Sequence, residues 1–228
     1  MSKMETQLKL YMAAVELIAE QGYTATTVDA IADRAGVAKG TVFYNFGSKD
    51  GLFVALLDHG IQRLADTLND ALTDKPPGET PALTPPGGSS TLTPPGGAPV
   101  PNPPGGPASA PLQRLDAVVM AQLRFFEEYG AFARVLLAEM WRTTWEEAVA
   151  RLRRQALGVY ADVLREAVDA GELRADLDVE TAATAVFGMV LTVSIERRAL
   201  HPERPLTEVH ATLTDLIHGR IAGTNVPE

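Results

Sequence analysis

The sequence predicts an all-α protein with a small N-terminal three-helix domain, a larger C-terminal helical bundle and an insertion between them. Apolar residues recur at the three- to four-residue spacing of amphipathic helices on both sides of the insertion. Neither side shows the sustained period-two alternation of half-buried strands. A segment rich in proline and glycine, residues 75–111, separates the two helical parts and defines the domain boundary.

The N-terminal part contains four helical segments. The first ends at Gly22 and carries one apolar stripe, made of Leu8, Tyr11, Met12, Val15, Ile18 and Ala19. Short helices are predicted from Val28 to Ala35 and from Lys39 to about Phe46. A longer helix opens at Ser48, so residues 1–50 form a first domain and residues 51–74 a connecting helix.

The insertion holds 13 of the 16 prolines, seven glycines and no aromatic residue. Because proline lacks a backbone donor and glycine adds conformational freedom, we expect residues 75–111 to be disordered. They form a nonapeptide repeat: KPPGETPAL, TPPGGSSTL, TPPGGAPVP and NPPGGPASA. The segment is either a tolerated insertion in a surface connection or a docking segment for a proline-recognising partner, for which Pro101, Pro104 and Pro107 have suitable spacing.

Residues 112–228 predict the second domain. We expect helices near residues 112–128, 131–140, 144–170, 179–199 and 206–221, with Gly171 and Pro202 as stop signals.

Composition excludes several classes of protein. The absence of cysteine excludes disulfides and thiolate catalysis and fits the cytoplasm. The polar N-terminus MSKMETQLKL does not resemble a signal peptide, and no apolar run approaches the ~18 residues of a membrane span, so we expect no membrane partner. The four histidines form no metal-binding or catalytic spacing. We therefore expect no enzyme activity, no catalytic residue, no metal and no cofactor.

The net charge of −9 argues against binding nucleic acid through bulk charge. No segment is broadly basic, so a nucleic-acid contact would have to come from a small, shaped patch.

Residues 26–47 have the pattern of such a patch. Thr26-x-x-Asp29 is a variant of the capping box, and Ala35-Gly36-Val37 suits a tight turn between two helices. In the second helix, Val42, Phe43 and Phe46 are predicted to face the core. Hydrogen-bonding side chains occupy its front, which suits insertion into a DNA major groove: Lys39, Thr41, Tyr44 and Asn45.

The run GYTATTVDAIADRAGVAKGTVFYNFGSKDGLF resembles the DNA-binding domain of the TetR family of transcriptional regulators, and the resemblance covers residues 5–57. It implies that Thr27, Tyr44 and Lys49 contact phosphates, and that Lys39, Thr41 and Asn45 lie at or near base edges. Gly40 would allow close approach to the DNA. Ala38 stands where many relatives have a capping Ser or Thr, and Asn45 stands where His is common.

For the remainder of the chain, the resemblance implies a ligand-binding and dimerisation bundle. Two apolar stripes suit a homodimer interface: Ala182, Ala185, Val186, Met189 and Val193, then Leu206, Val209, Leu213, Leu216 and Ile217. Large adaptable side chains suit a ligand pocket, unless they are packed core: Phe125, Tyr129, Met140, Trp141, Trp145, Tyr160 and Phe187. Arg124, Glu128 and Arg142 are candidate polar anchors in that pocket.

These patterns predict a sequence-specific regulator of transcription. We expect a repressor that a small hydrophobic or aromatic ligand releases from a palindromic operator on double-stranded DNA. A ligand-independent architectural DNA binder and a regulator that acts as an activator are the alternatives.

Overall fold

The computed structural model describes residues 3–73, 110–139 and 146–221, and the described residues contain helices and no strands. This arrangement confirms the predicted all-α fold. Residues 75–109 of the predicted insertion, together with Met140, Trp141, Arg142 and Trp145, lie outside the described residues.

The N-terminal domain consists of α1 (Lys3–Gln21), α2 (Val28–Ala35), α3 (Lys39–Phe46) and the first part of α4 (Lys49–Asp70). α1 packs against α2 and α4 and also against the C-terminal bundle, so its buried residues extend beyond the single predicted stripe. Leu10, Ala14 and Ile18 are buried there. Leu8 and Met12, predicted in the same stripe, are 41% and 46% exposed, because they lie at the edge of the α1 packing face.

The C-terminal bundle consists of α5 (Ala110–Glu128), α6 (Gly130–Glu139), α7 (Glu146–Leu152), α8 (Gly158–Asp169), α9 (Val179–Leu200) and α10 (Leu206–Ile221). α5 is its central helix, because it packs against α6, α8, α9 and α10 as well as against α4. α4 therefore belongs to both domains.

The single helix predicted over residues 144–170 is divided by a π-helical turn, Arg153–Leu157. The turn packs against α4, and the Gln155 side-chain amide donates a hydrogen bond of 2.9 Å to Gln62 Oε1 on α4. One turn earlier, Arg151 forms an ion pair with Asp58 of α4. The wider turn lets α7 contact α4 while α8 contacts α5 and α9.

Among the described helices, α9 is long and apolar enough to cross a membrane by length and composition alone. In the structure it packs against α5, α6 and α8. It also buries Arg197, whose guanidinium lies 2.7 Å from the Glu127 carboxylate and donates a second 2.7 Å hydrogen bond to the Arg204 carbonyl. Because of these contacts, α9 is part of the packed bundle.

Candidate nucleic-acid interface and ligand cavity

The first helix of the predicted helix-turn-helix, α2, is capped by Thr27, whose side-chain oxygen accepts a 3.1 Å hydrogen bond from the Ala30 amide. Thr26, predicted to open this helix, is instead buried, and its hydroxyl donates to the Gly22 carbonyl at 2.9 Å. The capping position was wrong by one residue because two threonines stand side by side. Thr26 hydrogen-bonds within the turn after α1, whereas Thr27 caps α2.

The turn between the helices has the predicted glycine geometry. Gly36 has φ +67°, a left-handed conformation that strains residues with a side chain. Its amide donates to the Asp33 carbonyl, and the Val37 amide donates to the Ala32 carbonyl at 3.0 Å. These two hydrogen bonds end α2 sharply and direct the chain into α3.

α3 is attached to the domain by a narrow apolar face. Val42 is its one buried residue, and Phe46 packs with its ring centroid 5.6 Å from that of Tyr11. Phe43, predicted in the core, is 45% exposed, because Val42 and Phe46 are one turn apart on the inner face and Phe43 lies to the side. Ala38 provides no side-chain cap, as its residue type predicts.

The front of α3 is accessible. Tyr44 is 85% exposed, and Gly40 has open space at the position of a Cβ atom. Thr41 is half-buried, and the exposed Lys39 ammonium lies 2.9 Å from the Asp29 carboxylate of α2. The Asn45 amide donates to the Thr41 carbonyl at 2.8 Å, so in this conformation it binds the helix backbone. The structure thus brings the predicted α3 residues together on one short helix.

Lys49 holds the start of α4 against the turn after α1. Its ammonium donates to the Tyr23 carbonyl at 3.0 Å and to the Thr26 carbonyl at 2.9 Å, and it lies 4.2 Å from the centroid of the Tyr23 ring. Ser48 caps α4 by accepting from the Gly51 amide at 2.9 Å. A Cβ atom on Gly51 would lie 2.2 Å from the Phe46 carbonyl, so only glycine permits this close approach of α3 and α4.

Tyr23 links the turn to both domains. Its hydroxyl donates to the Asp50 carboxylate, and burial together with that carboxylate raises the pKa of the Tyr23 phenol. Its backbone amide donates to the buried Glu139 carboxylate of α6 at 3.3 Å. This contact between domains could not be predicted from the sequence, because Tyr23 and Glu139 lie 116 residues apart.

A cavity of about 340 Å³ lies where α1, α4, α5 and α6 meet. Two predicted ligand-pocket residues, Phe125 and Tyr129, line it, and so does the predicted anchor Glu128. The predicted anchor Arg124 is exposed and does not line the cavity. Arg63 of α4 was missed as a lining residue, because its segment was assigned only a connecting role.

Tyr160 and Phe187 lie elsewhere, in the packed core of the bundle. Their rings contact each other edge-to-face, with centroids 6.3 Å apart. The fully buried Tyr160 hydroxyl donates to Gln122 Oε1, and burial raises the pKa of this phenol well above its usual value. Gln122 Nε2 in turn donates to the Phe187 carbonyl at 3.1 Å, which satisfies polar groups in an apolar interior.

The residues predicted for a dimer interface have mixed environments in the single chain. Val186, Val209, Leu213 and Ile217 are buried in the subunit's own core. Ala185 and Leu216 are exposed, and four others are half-buried: Ala182, Met189, Val193 and Leu206.

Two family models match the chain. Residues 10–56 match the model for bacterial regulatory proteins of the TetR family, and residues 108–195 match the tetracycline repressor-like C-terminal domain. The two matches coincide with the two helical parts and leave most of the insertion between them.

Curated relatives are regulators of transcription or metabolism. The fatty acid metabolism regulator protein of Bacillus subtilis is 21% identical over 80% of this chain and 78% of its own length. The repressor KstR2 of Mycobacterium tuberculosis is 24% identical over 87% of this chain and 83% of its own length. The activator FasR of Mycolicibacterium smegmatis is 38% identical, but the match spans only 31% of its length.

Solved structures share the fold. Regulator FadR from Bacillus subtilis, crystallised with stearoyl-CoA, has a TM-score of 0.68 at 19% identity, over 92% of this chain and 96% of that one. FadR from Bacillus halodurans has a TM-score of 0.70 at 19% identity, over 94% of this chain and 95% of that one. With both family models matched in order along an all-helical chain, the protein belongs to the TetR family of DNA-binding transcriptional regulators.

Proposed function

We propose that this protein is a repressor that binds a palindromic operator as a homodimer and is released by a small hydrophobic or aromatic ligand. The observation that carries the proposal is the close attachment of α3 to α4. Gly51 allows close approach of the two helices, and Lys49 fixes the start of α4 to the turn after α1. Because α4 also packs in the bundle, a ligand that shifts α4 would move the recognition helix with it.

The proposed DNA contacts divide by chemistry. Tyr44 and Thr27 carry hydroxyls that can bind phosphates, and Lys49 would add a positive charge nearby. The α3 side chains Lys39, Thr41 and Asn45 would read base edges, while Gly40 lets the helix approach closely. For Lys39 and Asn45 this requires that DNA replace the observed contacts to Asp29 and to the Thr41 carbonyl.

A dimer would match a two-fold operator because each helix-turn-helix reads only a few base pairs. The exposed or half-buried residues Ala182, Ala185, Met189 and Val193 of α9 are the candidates for the interface. Val186 of α9 and Val209, Leu213 and Ile217 of α10 would support it from inside the subunit, and Leu206 would lie at its edge.

The names of the relatives support a hydrophobic ligand. They include regulators of fatty acid metabolism, one of them crystallised with stearoyl-CoA, and a ketosteroid transcriptional regulator. A regulator of this kind acts on chromosomal DNA, so we place it in the cytoplasm.

Selection of bound fragments from random DNA by the purified protein tests operator binding. A palindromic consensus, bound at least ~10³-fold more tightly than random DNA, is expected. An architectural binder would show no such ratio. Sedimentation of the complex should give two chains per operator, and one chain would contradict the dimer.

Activation is the second candidate, because the relative FasR is an activator. A reporter gene placed behind the selected operator distinguishes repression from activation. Repression predicts higher expression when the regulator gene is deleted, and activation predicts lower expression.

A further inference from the structure

The cavity at the domain junction is built from both domains. Leu8 and Met12 of α1 line one side, and Leu56 and Gly60 of α4 line another. The rings of Tyr11, Phe125, Tyr129 and Phe132 make much of the remaining wall aromatic. Its volume of about 340 Å³ lies at the lower end of the range of about 300–1,000 Å³ for ligand sites.

Among the described residues that line the cavity, one carries a positive charge at neutral pH. The Arg63 guanidinium lies 5.1 Å from the centroid of the Tyr129 ring, and the part of the chain that the structure describes gives it no ion pair. Arginine is suited to bind a carboxylate because its planar N–H groups match the two oxygens. A half-buried guanidinium beside an apolar cavity is therefore placed to receive an anionic group.

The other polar groups of the lining do not cancel this preference. His59 stacks on Tyr11 with ring centroids 5.2 Å apart. Burial, and then the charge of Arg63, lower the pKa of His59 and so favour its neutral form. The Glu128 side chain is exposed at the edge of the cavity, where water screens its charge.

We infer that this cavity binds a compact, ring-sized apolar molecule carrying a single carboxylate, with the ring among the aromatic side chains and the carboxylate on Arg63. The inference deepens the ligand-release part of the proposed function and rests on it for the effect on DNA. A molecule bound here contacts α1 of the DNA-binding domain and α5 of the bundle together. It would release DNA only if it favours one arrangement of the two domains over the other.

Calorimetric titration of the full chain with 2-naphthoate and with its neutral isostere 2-naphthamide tests the site. We expect naphthoate to bind the wild-type protein, and Arg63→Met to weaken that binding at least tenfold while leaving the weaker naphthamide binding unchanged. Arg124→Met removes an exposed arginine of α5 outside the cavity and should leave both affinities unchanged. Met12→Trp, at the partly exposed rim, should weaken both probes by filling the opening.

Three results would overturn the inference. They are no naphthoate binding to the wild-type protein, equal loss of both probes in Arg63→Met, and naphthoate binding that Met12→Trp does not affect. Far-ultraviolet circular dichroism of each variant identifies a misfolded protein, in which case Leu8→Trp replaces Met12→Trp at the same rim. None of these measurements uses DNA. A protein that selects an operator but fails to bind naphthoate loses only this inference, and one that binds naphthoate but selects no operator loses only the proposed repressor function.

Discussion

The helix-turn-helix and the core of the C-terminal bundle hold their shapes by different means. α2 and α3 together bury Ile31, Ala32 and Val42, and their geometry depends on caps, a left-handed glycine and the ammonium of Lys49. α5 alone buries seven residues and surrounds one satisfied polar cluster with apolar contacts. The DNA-binding front is thus a lightly packed surface positioned by directional bonds, whereas the bundle is stabilised by burial.

Truncating a bundle side chain should have the largest effect on stability. Phe126→Ala removes a ring that is 1% exposed and packs edge-to-face with Phe187, so we expect a loss of about 3–5 kcal/mol in the free energy of unfolding. Urea denaturation at a fixed protein concentration measures it. Leu137→Ala, at a site 43% exposed, should change stability by no more than about 0.5 kcal/mol. Similar losses in both variants would contradict the burial argument.

Removing the Lys49 ammonium should destabilise the N-terminal domain through lost hydrogen bonds. Lys49→Met leaves the Tyr23 and Thr26 carbonyls without this donor, and we expect a cost of about 1–3 kcal/mol. Amide hydrogen exchange in α1 and α2 should report faster local opening.

The same variant distinguishes a structural role for Lys49 from direct phosphate contact. A structural role predicts weaker operator binding with an unchanged dependence on salt. A phosphate contact predicts that the slope of log affinity against log salt falls by about 1. Lys39→Met removes a proposed base reader on the front of α3, so it should weaken operator binding without speeding amide exchange in α1 and α2.

Tyr44→Phe should separate binding from stability. The side chain is 85% exposed, so we expect the free energy of unfolding to change by less than about 0.5 kcal/mol. Loss of a hydroxyl bond to phosphate should weaken operator binding about tenfold, equivalent to about 1.4 kcal/mol. Fluorescence anisotropy measures the affinity for operator DNA and for random DNA, and urea denaturation measures the free energy of unfolding. A loss confined to the operator would instead assign Tyr44 to base reading.

The smallest effect is expected from supplying the missing cap. Ala38 has φ −68° and ψ 143°, the extended geometry of an N-cap, so Ala38→Ser should stabilise α3 by about 1 kcal/mol. For a chain of this size, that corresponds to an increase in Tm of about 2–4 °C if the domains unfold together. Ala38→Val has no side-chain oxygen to accept the N-cap hydrogen bond, so it serves as the control. An equal increase with valine would exclude capping as the cause.

The same contrast explains which features could be predicted from sequence. The helix-turn-helix is specified by signals a few residues apart. Its glycine turn, its hydrogen-bonding front and the missing cap at Ala38 could therefore be predicted from the sequence. The error at Thr26 and Thr27 arose because capping motifs tolerate a shift of one residue. The exposure of Phe43 depends on where α1 and α4 lie, which the local pattern does not encode.

The contacts between domains could not be predicted, because they depend on packing between distant segments. Arg63 lines the cavity because α4 packs against α5, and Lys49 binds carbonyls more than 20 residues earlier in the chain. The size and adaptability of their side chains predicted Phe125 and Tyr129 as pocket residues. That criterion could not separate them from Tyr160 and Phe187, which share their chemistry but do not line the cavity.

The π-helical turn at Arg153–Leu157 holds one residue more than a regular α-helix would place between the same contacts. Each residue of an α-helix rotates the chain by about 100°, and the wider turn absorbs the extra residue without passing that rotation on to α7 and α8. Arg151 therefore faces Asp58 of α4 while α8 faces α5 and α9. Deleting one residue within the turn should restore a regular α-helix and keep both sets of contacts, whereas deleting one residue from α8 should rotate α7 by about 100° relative to the rest of α8 and separate Arg151 from Asp58.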